Sequence, residues 1–195
     1  MKVLRGTSKL SVDEFLREFA DVDDGNSHEL QDGEVFVAPP PGSAHSELHA
    51  LVVGLLSIYS GEHAGLRVFD ACAIQFAPDT LRAPDVTVVL PGDGVKMSQA
   101  ALVGTPSLVI EIVSPNKPRL DLVVKRGLFT TVGIPEIWFI DAETREALFL
   151  NKLRTGKYTE QKVASGSFHS KVLKGLTLDV TALFDLDKKR LFKSR

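Results

Sequence analysis

The stretch SLVIEIVSP, residues 107–115, constrains this chain more than any other. Leu108, Val109, Ile110, Ile112 and Val113 make an apolar run that reads as a core strand, and Glu111 sits at its centre. A carboxylate taken out of water costs on the order of several kcal/mol unless it is paired, protonated or bound to a cation. A fold that buries this strand must therefore supply Glu111 with a partner.

The surrounding sequence suits one soluble domain. A chain of 195 residues is long enough to bury a sizeable core, and with no repeat, low-complexity stretch or linker, residues 1–195 read as a single domain. No apolar run approaches the roughly 20 residues of a membrane span, and MKVLRGTSKLSVDEF lacks the apolar region of a secretory signal. With one cysteine, Cys72, no internal disulfide can form, so a cytoplasmic setting is expected. The net charge of −2 excludes a broad basic footprint for nucleic acid. Any such contact must be local, and the tail DKKRLFKSR, residues 187–195, is the one basic cluster.

Periodicity places the elements. Ser11 and Glu14 form a capping box ahead of a short amphipathic helix over residues 11–19. Asp32-Gly33 divides two short alternating runs, a hairpin signal. Leu48, Leu51, Val52, Leu55, Leu56 and Tyr59 form the stripe of a long core helix. LRVFDACAIQF and APDVTVVL read as one strand each, followed by a polar connection over residues 91–106. Residues 120–132 read as a helix, and EIWFIDAE as a further strand with Trp138, Phe139 and Ile140 in the core. The alternation predicts an α/β (α+β) fold: a mixed central sheet flanked by helices, with additional antiparallel strands and a short helix towards the C-terminus.

Three further residues converge with Glu111. At about 100° per residue, Leu120, Val124, Leu128, Phe129 and Val132 sweep out one apolar face, and Asp121 and Lys125 fall within it, one turn apart. Asp85 follows Pro84 at the start of an apolar strand, where it can project into a cleft. Asp85 and Glu111 on adjacent strands are ligands of the type Mg²⁺ or Mn²⁺ takes, with waters and a phosphate completing the shell. Phosphodiester hydrolysis fits that set, with Lys125 orienting the attacking water or stabilising the transition state. His45 and His49 lie one turn apart, but HSELH misplaces the glutamate of a zinc-protease helix, and Glu47 points away from the histidine face, so zinc is not expected.

At APDVTVV, LVIEIVSP, DLVVK and VGIPEIWFID the chain resembles the Uma-type (Uma-two) restriction-endonuclease family, placed in the PD-(D/E)XK nuclease superfamily. The similarity also takes in HELQDGEV, PPPGSAHSELHALVV and LKGLTLDVTALF, and so nearly the whole chain. It implies a restriction-endonuclease-like fold and a metal-dependent nuclease, with Asp85 and Glu111 as catalytic metal ligands. The superfamily carries a lysine two residues after the second acidic position, and here that place is Val113. In the family the lysine comes from the following helix, where Lys125 matches, with Asp121 one turn before it as a positioning or additional carboxylate. The resemblance also implies that His45 borders the cleft towards phosphate, and that an upstream acid, Glu29 or Glu34, joins the site. SPNK stands where the family has SPST, and Phe129 stands near its usual tyrosine, changes expected to alter packing or loop contacts.

The expected function is thus a metal-dependent endonuclease acting on DNA, and a homodimer is expected because one such domain cuts one strand. The alternative is a non-catalytic nuclease fold that keeps Glu111 and Lys125 as a structural pair and serves as a protein-binding or dimerisation module. The absent strand lysine and basic face favour that alternative; an inward Lys125 beside Asp85 and Glu111 opposes it.

Overall fold

A computed structural model describes residues 2–4, 9–114 and 118–192 of the chain. Ahead of the long helix lie β1 (Lys2–Leu4), α1 (Val12–Phe19), β2 (Ser27–Gln31) and β3 (Glu34–Ala38). The capping box forms: the Glu14 amide donates to Ser11 Oγ, and the Ser11 amide donates to Glu14 Oε2 at 2.8 Å. The β2–β3 turn takes positive φ at both central residues, Asp32 at 52° and Gly33 at 76°. A side chain at Gly33 would lie 2.6 Å from Lys9, so close approach as well as φ selects glycine here. Helix α2 (Ser43–Gly61) follows, then β4 (Arg67–Asp70), β5 (Ile74–Ala77), β6 (Thr80–Arg82) and β7 (Val86–Val89).

LRVFDACAIQF is therefore two strands, not one. Ala71, at φ 42°, turns the chain between β4 and β5, and the two strands join different sheets. A left-handed alanine leaves no mark in hydrophobic periodicity. The connection over residues 91–106 likewise contains two short strands, β8 (Lys96–Met97) and β9 (Leu102–Val103), which pair antiparallel.

Strand β10 (Leu108–Ile112) leads to residues 120–132, where a single α-helix is expected. The segment Leu120–Lys125 is instead π-helical and passes into α3 (Arg126–Val132), which Gly133 closes at φ 82°. Wide turns of this kind are rare and occur often at functional sites. Next come β11 (Glu136–Asp141), β12 (Glu146–Lys152), β13 (Tyr158–Val163), β14 (Ser167–His169), β15 (Thr177–Asp179), α4 (Val180–Phe184) and α5 (Lys188–Leu191).

The strands form a six-stranded sheet ordered β13-β12-β11-β10-β7-β4, a seven-stranded sheet ordered β1-β3-β2-β6-β5-β9-β8, and the pair β14-β15. The first is mixed, because β10 and β11 run parallel while their other neighbours are antiparallel. Side chains alternate across it. Leu108, Ile110 and Ile112 face α2 together with Trp138 and Ile140, whereas Val109 and Val113 face the opposite side with Phe129, Ile134 and Phe139. Glu111 shares the parity of Val109 and Val113, so the position where a strand lysine would stand is sealed into core beside it. Phe129 is fully buried with its ring 6.0 Å from that of Phe76, the packing role expected of it; the SPNK change at residues 115–117 lies outside the described residues.

The core holds a second glutamate, which periodicity alone assigned to an apolar strand. Glu136 is fully buried and accepts from Trp138 Nε1 at 2.7 Å, Ser170 Oγ at 2.8 Å and the Lys171 amide at 2.6 Å, with the Val172 amide at 3.2 Å. It staples the segment after β14 to the sheet. Glu136→Ala is expected to cost about 3 kcal/mol, since it strands several buried donors. Urea unfolding measures this, and a loss below about 1 kcal/mol would contradict the staple.

Candidate functional site

The register of β7 against β10 pairs Val86 with Ile110, Thr87 with Val109 and Val88 with Leu108. Extending it by one residue sets Asp85 opposite Glu111. Asp85 Oδ2 accepts from the Ile112 amide at 2.6 Å and lies 3.2 Å from His45 Nε2. Its main-chain carbonyl accepts from the Ala71 amide at 2.9 Å and from His49 Nε2 at 2.9 Å. The Pro-Asp pair is thus held at both backbone and side chain.

Glu111 is 1% exposed, and its Oε2 accepts from Lys125 Nζ at 2.7 Å. Its other oxygen, Oε1, is buried and meets no hydrogen-bond partner among the described residues. Neither protonation state satisfies that atom: ionised, it is an acceptor without a donor, and protonated, a donor without an acceptor. Glu136, with both oxygens engaged, shows how this fold treats a purely structural carboxylate. Lys125 also lies 3.8 Å from Asp121 Oδ1, while Asp121 Oδ2 accepts from the Ser114 amide at 2.9 Å. The π-helical segment and the end of β10 are tied together through this aspartate.

The structure distinguishes the two upstream glutamates. Glu29 is buried on β2, with Oε2 accepting from Arg82 Nη1 at 2.8 Å and Oε1 from the Ala83 amide at 2.8 Å. It braces the Ala83-Pro84-Asp85 segment, and its charge reaches Lys125. Glu34 is exposed at the hairpin end of β3 and is not brought to the site. Glu29 lies within the strand opposite Phe36, whereas Glu34 lies beside the turn opposite Gln31. Arg82, with its guanidinium 4.5 Å from the Phe36 ring centre, was missed as Glu29's partner, since in the short strand Thr80-Leu81-Arg82 it breaks no apolar pattern. His45 is brought to Asp85, where its Nε2 is taken by that carboxylate and its Nδ1 is buried without a partner among the described residues.

Opposing environments separate the two acids. Burial raises the Asp85 pKa, but the His45 contact and the Lys125 charge outweigh it and hold the group below the usual aspartate range. Burial drives Glu111 well above its ordinary 4.5, and the charges of Asp85 and Asp121 add to that against Lys125. Burial would lower Lys125, but Glu111, Glu29, Asp121 and Asp85 together keep its ammonium protonated well past the usual lysine range. With all four ionised, these carboxylates face, among the described residues, Lys125 and Arg82, with the His45 ring against Asp85, an excess of negative charge that a cation would relieve.

A raised acid contributes stability that is complete below its unfolded value, near 4.5 for Glu111, and lost as pH rises through the folded value; lowered Asp85 and Glu29 act oppositely, losing stability in acid. In metal-free protein, Glu111→Gln is expected to flatten the decline in unfolding free energy as pH rises above the ordinary glutamate value. Equal declines in both proteins would contradict the raised Glu111.

The fold places the chain among nuclease-like α/β proteins. It is similar to the crystal structure of a putative nuclease belonging to DUF820 from Anabaena variabilis, with a TM-score of 0.73 and 18% identity over 90% of this chain and 98% of that one. At the sequence level, the family described as "Uma2: Putative restriction endonuclease" matches residues 12–181. The chain belongs to that family. No curated protein matches its sequence. Among the described residues no helix is long and apolar enough to cross a membrane.

Proposed function

We propose that this protein is a divalent-cation-dependent endonuclease that hydrolyses phosphodiester bonds in DNA. The observation that carries the reading is Glu111 Oε1, a buried carboxylate oxygen with no partner among the described residues, on the strand register that sets Asp85 opposite. Among the described residues no group of three or more His, Cys, Asp or Glu side chains could hold a metal ion, so the site offers two carboxylates. The fit is to Mg²⁺ or Mn²⁺, which take one or two carboxylates and fill the remaining positions with water and phosphate. Asp85 and Glu111 would hold the cation. When bound, it supplies an acidified water and neutralises charge on the phosphate.

The remaining residues have separate tasks. Lys125, anchored on Glu111 and kept protonated, acts as a fixed positive charge towards the scissile phosphate and not as a general base. Asp121 holds Lys125 in line and ties it to Ser114. Glu29 fixes the backbone of the Pro-Asp segment. The competing reading, a binding module with a structural Glu111–Lys125 pair, is favoured by the 2.7 Å contact itself but leaves Oε1 unexplained.

The test is cleavage of supercoiled plasmid and of branched and single-stranded oligonucleotides in Mg²⁺ and Mn²⁺. Cutting that requires the cation and stops on chelation is expected. Intact substrates throughout would refute the nuclease reading.

A further inference from the structure

The two histidines of HSELH remain unexplained by that mechanism. Both stand on the first turns of α2, a helix anchored through Leu48, Leu51 and Val52, and both reach Asp85. His45 Nε2 and the Ile112 amide converge on one carboxylate oxygen, Oδ2, at 3.2 Å and 2.6 Å, while Oδ1 receives no protein hydrogen bond among the described residues. His49 Nε2 lies 2.9 Å from the Asp85 carbonyl and 3.0 Å from Asp70 Oδ1. Both neighbours are acceptors, so Nε2 carries the proton. The Ala71 amide, on an alanine at φ 42°, reaches the same carbonyl.

We infer that His45 and His49 are positioning residues: His45 fixes the Asp85 carboxylate so that Oδ1 is presented to a divalent cation, and His49, held by Asp70, fixes the backbone behind it. This rests on the cation site proposed above. Rigid outer partners of a metal-binding carboxylate set its orientation, and their loss typically weakens metal binding by about 10–100-fold.

The test is calorimetric titration of the full chain with MnCl₂, without nucleic acid. His45→Leu and His49→Leu are expected to bind about 10–100-fold more weakly than wild type. His45→Gln and His49→Gln, whose amides reach as far as Nε2, are expected to recover to within about threefold. His45→Asn and His49→Asn, polar but too short, should weaken binding like leucine and serve where a leucine variant fails to fold. Glu47→Ala, exposed on the same turns, should bind as wild type. Wild-type affinity in the leucine and asparagine variants would overturn the positioning role while leaving the cation site standing. Absence of Mn²⁺ binding in wild type would overturn both.

Discussion

Lys125→Met is expected to destabilise the metal-free protein by about 3–5 kcal/mol at neutral pH, because removing one partner of a buried ion pair leaves uncompensated charge. The effect is large here because Lys125, 8% exposed, answers Glu111, Glu29, Asp121 and Asp85 at once. Without it those carboxylates retain, among the described residues, Arg82, which already serves Glu29, and the His45 ring on Asp85. Their pKa values should rise in the folded variant, so the penalty should shrink as pH falls and they take up protons. Pairing the change with Glu111→Leu removes a charge of each sign and should recover part of the loss, since the two residues are in direct contact. Urea unfolding of the three proteins measures this. A Lys125→Met variant within about 1 kcal/mol of wild type at neutral pH would show that the lysine is not compensating buried charge.

Asp85→Ala is expected to abolish cation-dependent cleavage, lowering the rate by at least about 10²–10³-fold, the scale of losing a principal electrostatic element of an active site. Its effect on stability should be smaller. Asp85 is partly accessible, and its backbone stays held by Ala71 and His49, whose contacts are to the carbonyl. The variant removes an acid whose lowered pKa keeps it ionised and ready for a cation, and leaves Glu111 and Lys125 paired. Cleavage of supercoiled plasmid in Mn²⁺, followed as nicked and linear products, separates the possibilities. Equal cutting by variant and wild type would remove Asp85 from the site.

Much of this site was legible in the sequence because each signal was a polar residue breaking an apolar pattern. Glu111 interrupts a strand, and Asp121 and Lys125 interrupt a helix face; all three are buried, and Lys125 contacts both acids. The long helix and the hairpin turn were equally plain, because periodicity and the Asp-Gly pair act locally. What was illegible depends on distant partners or on backbone choice. The split at Ala71 and the π-helical turn are backbone conformations that no side-chain period encodes. The choice of Glu29 over Glu34 depends on Arg82, 53 residues away from Glu29 in sequence. His45 lies against Asp85, but the sequence could not show that this carboxylate would occupy its ring nitrogen. Glu136 carries the same chemical signal as Glu111, a carboxylate in an apolar strand, and only the donors around it mark it as structural.

The measurement that bears most directly on this account is the melting temperature of wild type and Glu111→Gln as Mn²⁺ is added at constant ionic strength. A ligand that binds only the folded state must raise it, by about 2.7 kcal/mol of stability at one hundred times the dissociation constant. A rise that grows with Mn²⁺ in wild type and is lost in Glu111→Gln is expected. A flat wild-type response, or the same rise in both proteins, would contradict it and return Glu111 to the role of a buried structural charge.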